Sequence, residues 1–196
     1  ANYAFMNDRF GFQWPTREAL YGLTFSAYRG LLFYLPILWV GLVAWLAAAR
    51  SHPLHAIGPI GSSAGVLLLV VAAYAMWWGG WAYGPRHLTA AAVLLVWRVV
   101  PLIAVRRWLR WPAFLFGSFG VVCAYMAKST TWYSLPTGVK DPVLEEVVIR
   151  FANGEFTSMQ VPVLFGASPA TATFAFPLVA AGVLFALHRM DRRMIA

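Results

Sequence analysis

The sequence has a single cysteine among 196 residues, and only 11% of its residues are charged. One cysteine excludes an intrachain disulfide. Cys123 lies inside an apolar stretch, where a lone cysteine is most often a small hydrophobic side chain. Soluble domains are about 45–50% apolar and about 25% charged, whereas this chain is 61% hydrophobic, with the excess in blocks. The composition therefore excludes a single soluble domain and indicates an all-α integral membrane protein.

Acidic residues are also few. Seven Asp and Glu stand against 15 Lys and Arg, which gives a formal net charge of +8. The arginines lie at the edges of apolar runs, and no basic patch alternates with polar recognition residues. Such a distribution is typical of orientation in a membrane and of contact with phospholipids. We therefore expect membrane lipids as partners and no nucleic acid.

Five apolar segments are long enough, or nearly so, to cross a bilayer core of about 30 Å, which needs roughly 17–25 helical residues. They are residues 30–49, 61–78, 87–104, 111–126 and 169–187. Arg29 and Arg50 frame the first segment, and Pro112 lies in the first turn of the fourth, where its missing N–H costs little. The sequence predicts about five transmembrane helices.

The distribution of Lys and Arg predicts the orientation. With five spans, residues 50–60, 105–110 and 188–196 share one side and hold seven arginines in about 26 residues. The other side holds the same number of basic residues over a much longer stretch, together with six of the seven acids. Dense positive charge in short loops marks the cytoplasmic side. We expect the N-terminus outside and the C-terminus inside a bacterial inner membrane.

This topology divides the chain into four parts. Residues 1–28 form an extracytoplasmic interfacial segment, with a helix expected from Thr16. Residues 29–126 form four transmembrane helices. Residues 127–168 form an outer loop too long to be a simple connector, which predicts a small cap; Asp141 is placed to begin a helix there. Residues 169–196 form the fifth helix and a basic cytoplasmic tail.

The usual enzyme signatures are missing: the sequence has no Walker loop, GxSxG, HExxH or CxxC, and no metal site is predicted. The densest constellation is residues 77–88, WWGGWAYGPRHL, between the second and third spans. Its three glycines allow a tight turn. Arg86 would then lie at the start of a helix, where exposed N–H groups favour an anion. This predicts a lipid-phosphate or ligand site formed by Arg86, His87, Trp78, Trp81 and Tyr83. The alternative is an arginine that meets lipid headgroups within an interfacial aromatic belt.

Three stretches resemble the GT-C-like glycosyltransferases of bacteria that use polyprenyl-phosphate sugars. WGGWAYGPRHL (78–88) is similar to their Trp- and Gly-rich turn that ends in Tyr/Phe-Gly-Pro-Arg. YRGLLFYLPIL (28–38) resembles their element at the start of the preceding span, and the stretches 140–156 and 164–179 resemble their tail. The resemblance implies a multi-spanning fold with an outward-facing site, a sugar donor on a polyprenyl phosphate, and a match to the C-terminal part of such an enzyme.

Two functions follow from this resemblance. These enzymes place a catalytic Asp or Glu in a first outer loop that has no counterpart in this chain. The outer acids here, of which Asp8 and Asp141 are the weak candidates for a general base, have structural roles available. We therefore expect a non-catalytic subunit of a larger membrane complex, packed against other integral membrane subunits and possessing no cofactor other than a bound lipid or polyprenyl phosphate. The alternative is an active glycosyltransferase, or its C-terminal part.

Overall fold

The computed structural model describes residues 11–49, 53–80, 83–130 and 138–195. Within these ranges the chain is helical, and the only extended pairing is an isolated bridge between Phe12 and Tyr74. The α-helices are α1 (Arg17–Thr24), α2 (Leu31–Tyr34), α3 (Ile37–Ala49), α4 (Pro53–Ala72), α5 (Thr89–Val105), α6 (Arg110–Thr130), α7 (Ile149–Ala152), α8 (Val161–Leu164) and α9 (Pro169–Ile195). Two 3-10 turns, Arg86–Leu88 and Arg107–Leu109, and a π-helix, Val143–Val148, complete the structure.

The helix expected near Thr16 is confirmed as α1. The Thr16 hydroxyl accepts a hydrogen bond from the Ala19 N–H at 3.1 Å, which satisfies one of the free donors of the first turn. Ala19 and Leu23 are fully buried and pack in a cluster with α4 and α5. The segment before the first apolar run is therefore fixed to the bundle by its own amphipathic helix.

The first predicted span is not one continuous helix. α2 ends at Tyr34, the backbone of Leu35 leaves the helical region (φ −126°, ψ 68°), and α3 begins after Pro36. Proline lacks an N–H and disfavours a helical conformation in the residue before it, which accounts for the break. α3 has 13 residues, so it is only about 20 Å long at 1.5 Å per residue.

α3 lies at the centre of the bundle, between α5 and α6. Gly41 allows the close approach to α5, since a Cβ at this position would lie 2.2 Å from Val99 Cγ2. Val40 of α3 packs with Leu109 and Ala113 of the hairpin formed by α5 and α6. The small residue Gly41 lets the backbones of α3 and α5 come close together, which is a common way to pack helices tightly in membranes.

The next three predicted spans differ from the helices mainly at their ends. α4 is kinked at Gly58 (φ 56°, ψ 175°) before Pro59 and ends at Ala72, so Trp77 and Trp78 lie in the turn that follows rather than in the helix. α5 matches the third prediction within two residues. α6 extends to Thr130, so the first residues of the predicted outer loop are helical.

Residues 138–168, the predicted cap, contact the C-terminal half of α6 through their first helix. Asp141 Oδ1 accepts a hydrogen bond from the Leu144 N–H at 3.1 Å, which confirms its capping role. Val143 and Val147 are buried against Cys123, Met126 and Ala127 of α6. The cap is thus held by an apolar stripe on the helix that Asp141 begins.

α9 is attached to the rest of the protein by its first turns. The Tyr125 hydroxyl donates to the Thr173 carbonyl at 2.5 Å, and Gln160 Nε2 donates to Thr173 Oγ1 at 2.7 Å. Beyond these turns its large apolar side chains are exposed: Phe176, Leu178, Val179, Val183, Leu184 and Phe185. An exposed apolar surface of this extent is the kind of surface that lipid or another membrane helix covers.

Within the described residues, three helical segments are long and apolar enough to cross a membrane: Arg86–Val105, Arg107–Thr130 and Pro169–Ala186. A shorter apolar stretch, Gly58–Ala72, accompanies them. The apolar helices at the first two predicted positions are each shorter than a full crossing.

Candidate functional site

The turn between α4 and α5 adopts backbone conformations that favour glycine. Gly79, Gly80 and Gly84 have φ of 75°, 66° and 71°, in the left-handed region that side chains with a Cβ rarely adopt. Gly84 also lies against Tyr34, since a Cβ there would be 3.0 Å from the ring. The sequence prediction of a tight glycine turn at this point is confirmed.

The buried Arg29 side chain holds the inner edge of this turn. Its Nε donates to the Trp78 carbonyl at 3.0 Å and its Nη2 to the Gly80 carbonyl at 3.1 Å, while Nη1 donates to the Tyr28 carbonyl at 3.0 Å. The guanidinium also lies 4.4 Å from the centre of the Tyr28 ring. Arg29 has no exposed surface. Its charge is therefore balanced by carbonyl oxygens and a ring face, and no carboxylate of the described residues forms an ion pair with it.

Sequence reasoning missed this role of Arg29. It placed the residue at the edge of the first span, because a basic residue beside an apolar run is typical of an interface. The two carbonyl groups that Arg29 binds across the turn lie 49 and 51 residues further along the chain. The Gly30 that follows Arg29 is the nearest signal for close packing in the sequence.

Arg86 is an exposed residue of the same turn. Its Cγ is 3.1 Å from the point that a Cβ on Gly79 would occupy, and its Nη2 is 3.7 Å from the corresponding point on Gly80. Among the described residues, none accepts a hydrogen bond from its guanidinium. Arg86 also begins the 3-10 turn that leads into α5, and Thr89 Oγ1 donates to its carbonyl at 2.7 Å. The guanidinium groups of Arg29 and Arg86 therefore both approach Gly80. Arg29 donates to the Gly80 carbonyl, and Arg86 lies near the position that a Gly80 Cβ would occupy.

The other predicted site residues separate into two groups. His87 and Trp78 stay at the turn: the His87 ring lies edge-on to Tyr74 at 6.1 Å, and Trp78 lies edge-on to Trp77 at 5.9 Å. The Tyr83 ring instead contacts the Tyr34 ring, with the two ring centroids 4.8 Å apart. Trp81 and Asp8 lie outside the described residues.

The Tyr83 hydroxyl is buried, and the described residues offer it no hydrogen-bond partner. Burial raises the pKa of this hydroxyl well above its ordinary value, because the phenolate would lose its hydration. The ring packs with α6 and the cap rather than beside Arg86. Tyr83 thus joins the turn to the cap.

The acids within residues 11–28 and 138–168 are mostly engaged in structure. Asp141 caps the cap helix. Glu146 pairs with Arg150 at 2.7 Å, and Glu155 lies 3.9 Å from the same guanidinium. Glu18 is exposed in the first turn of α1, where the helix dipole favours it.

One cleft borders the glycine turn, and a separate cavity lies among the helices. An open cleft of about 750 Å³ lies between α1, the turn and residues 138–140; its lining includes Glu18, Tyr21, Tyr28, Trp77, Trp78 and Lys140. A second, almost wholly apolar cavity of about 440 Å³ lies among α2, α3, α4 and α5, with Leu31, Gly41, Trp45, Leu95 and Val99 in its wall. The first combines aromatic faces with both signs of charge, and the second offers hydrocarbon alone.

The described part of the chain contains no group of three or more His, Cys, Asp or Glu side chains placed to hold a metal ion. No family model, curated protein or solved structure matches the chain. The resemblance to GT-C-like glycosyltransferases therefore stays a prediction from the three stretches quoted above.

Proposed function

We propose that the chain is a multi-pass protein of a bacterial inner membrane that binds the phosphate of a lipid at Arg86 and acts as a non-catalytic subunit of a larger membrane complex. The observation that carries this proposal is the exposed Arg86 guanidinium, which lies beside Gly79 and Gly80 at the start of an apolar helix. A guanidinium offers five N–H donors in a planar fork that fits phosphate oxygens.

About five crossings, with the N-terminus outside, agree with the helix packing. Gly120 of α6 lies beside Pro36, whereas Ala113, two turns earlier, packs with Val40, so α3 and α6 run in opposite directions. The first crossing combines α2, the break at Pro36 and α3. The second is α4, including the residues before its kink at Gly58. The glycine turn then lies on the outer side, and the turn between α5 and α6 on the cytoplasmic side.

Arg29 makes the turn a preorganised binding surface. It fixes the carbonyl groups of Trp78 and Gly80 on the buried side, so the turn does not have to be ordered when a ligand arrives on the exposed side. Preorganisation of this kind lowers the entropic cost of binding. The positive charge of Arg29 also adds to the attraction of an anion near Gly80.

The occupied acids favour the subunit over the enzyme. Transfer of a sugar from a polyprenyl phosphate needs a carboxylate within hydrogen-bond reach of the acceptor hydroxyl. Asp141, Glu146 and Glu155 already accept hydrogen bonds or pair with Arg150. The exposed apolar face of α9 offers a large surface through which a subunit could pack against partner helices.

One observation favours the alternative, a glycosyltransferase of the GT-C-like type. The outer cleft places the Glu18 carboxylate in the same wall as Trp77 and Trp78, and aromatic faces beside a carboxylate suit a sugar acceptor. If the chain is an enzyme, Glu18→Gln should abolish transfer while leaving the helix start intact. Sugar transfer by the isolated chain would replace the subunit proposal with this one.

A binding experiment tests the role of Arg86. Delipidated protein in mild detergent is titrated with a polyprenyl monophosphate and, separately, with the matching polyprenol, and complexes are counted by native mass spectrometry. Arg86→Ala should weaken phosphate binding by roughly 1.5–3 kcal/mol, the range for hydrogen bonds to charged groups. Arg86→Lys should recover part of the loss, because a point charge lacks the planar fork.

The matched control is Arg17→Ala, which removes an exposed arginine from α1. It should leave the affinity unchanged. Equal affinity of the wild type and the Arg86→Ala protein for the polyprenyl phosphate would refute the proposed site. Purification as a lone protein in every mild detergent tried would refute the subunit role.

A further inference from the structure

The turn between α5 and α6 carries a second concentration of positive charge, at the opposite end of α5 from Arg86. Arg106, Arg107 and Arg110 lie within five residues, and the chain has no acidic residue between Glu18 and Asp141. Two exposed tryptophans, Trp108 and Trp111, alternate with these arginines. We propose that this turn is a binding site for the headgroups of anionic phospholipids.

The helices fix where this turn lies. The two candidate spans on either side of it end at Val105 and begin at Arg107, so a single residue separates them. If both cross the bilayer, as the proposed function requires, the arginines must lie at one membrane surface. The inference rests on the proposed function in this respect alone and does not depend on Arg86.

The turn is rigid, because its apolar residue points inward. Leu109 is fully buried with Val40 and Ala113, which holds the 3-10 turn against α3 and α6. With Leu109 inside, Trp108 and Trp111 face outward, 59% and 73% exposed. Tryptophan at this level prefers the boundary between hydrocarbon and headgroups. The phosphate layer would therefore lie at the height of the arginines.

The Arg107 and Arg110 side chains have donors available for phosphate. Arg107 is exposed, and no described residue accepts a hydrogen bond from it. Arg110 Nη2 donates to the Ala104 carbonyl at 3.0 Å, which ties the guanidinium to the end of α5 and leaves its other N–H groups for a ligand. Guanidinium groups bind phosphate through pairs of N–H donors, and the net negative charge of an anionic lipid adds to this attraction.

Phosphatidylglycerol and phosphatidylcholine distinguish this site from non-specific lipid contact. Both contain a phosphodiester, but only phosphatidylglycerol has a net negative charge. Native mass spectrometry of the full-length protein, delipidated and titrated with each lipid of identical acyl chains, gives the ratio of the two affinities. We expect the wild-type protein to favour phosphatidylglycerol by at least tenfold.

The variant Arg107→Gln/Arg110→Gln should lose at least tenfold of this preference, because each basic residue near an anionic surface contributes about 1 kcal/mol, or about fivefold. Arg107→Lys/Arg110→Lys should keep most of it. The control Arg17→Gln/Lys128→Gln removes the same charge from the other side of the protein and should leave the ratio within twofold. Arg107→Gln alone, at a side chain with no described contact, guards against misfolding and should lose about fivefold.

Three results would overturn the proposal. One is an unchanged preference in the Arg107→Gln/Arg110→Gln protein. Another is a loss of preference in Arg86→Ala instead, which would assign the anionic lipid to the outer turn. The third is equally strong binding of soluble glycerol phosphate, which would assign the site to a free phosphate. Extraction of the wild-type protein from membranes by alkaline carbonate would contradict the membrane-spanning function itself and is measured first, so the two failures are distinguishable.

Discussion

Replacement of the buried Arg29 tests how the glycine turn is held. Arg29→Ala removes three hydrogen bonds of 3.0–3.1 Å and leaves three carbonyl groups without their donors. A hydrogen bond to a charged group contributes about 1.5–3 kcal/mol, and an unsatisfied buried acceptor costs about 1–3 kcal/mol. The acceptors belong to neighbouring residues that relax together, and removal of the guanidinium also relieves its desolvation, so we expect a net loss of about 3 kcal/mol.

For a chain of this size, about 3 kcal/mol lowers Tm by roughly 6–12 °C. The measurement is thermal unfolding in a fixed detergent, followed by circular dichroism and by tryptophan fluorescence. Arg29→Lys should lose less, because an ammonium keeps the charge but cannot reach the Trp78 and Gly80 carbonyls and the Tyr28 carbonyl together. The exposed Arg17→Ala should change stability by less than about 0.5 kcal/mol. A Tm of the Arg29→Ala protein within about 2 °C of the wild type would refute the structural role of Arg29.

Three further predictions concern packing and ionisation. Gly41→Ala should lower Tm by several degrees, because its Cβ would meet Val99. Gly65→Ala, with open space around it, should raise stability by up to about 1 kcal/mol. Equal effects of the two substitutions would contradict the close approach of α3 and α5. Thr173→Val should cost about 1–2 kcal/mol through the lost hydroxyl acceptor, and proteolysis should then release α9 sooner than in the wild type. The raised pKa of Tyr83 means that the neutral hydroxyl stabilises the fold below the ordinary tyrosine pKa of about 10. This contribution is lost as the pH rises through the folded-state pKa, so absorbance at 295 nm should show the same number of tyrosines titrating near pH 10 in the folded wild-type and Tyr83→Phe proteins, whereas the unfolded variant should show one fewer than the unfolded wild type.

Local sequence signals predicted several elements correctly. The apolar runs after His87, Trp111 and Pro169 are long enough to determine α5, α6 and α9 without tertiary information. Glycine spacing in residues 77–88 predicted the turn, and Asp141 before an amphipathic stretch predicted the capped helix. These features depend on chemistry within a few residues.

The features that sequence reasoning missed depend on contacts between distant residues or on a competing local signal. Pro36 was visible in the sequence, but the surrounding apolar run outweighed it, so the break between α2 and α3 was not expected. Arg29 was assigned to an interface because two of its acceptors lie 49 and 51 residues further along the chain. Tyr83 was grouped with the surface aromatics, since nothing in its neighbours indicated that its ring turns towards Tyr34.

The central claim is that Arg86 holds a lipid phosphate on the outer glycine turn. The most direct measurement is a high-resolution structure of the protein in nanodiscs that contain a polyprenyl monophosphate. The account predicts phosphate density within hydrogen-bond distance of the Arg86 guanidinium, about 2.7–2.9 Å from its nitrogens, with Arg29 still bound to the Trp78 and Gly80 carbonyls. A guanidinium engaged instead by a carboxylate of the same chain, with no phosphate at the turn, would contradict it.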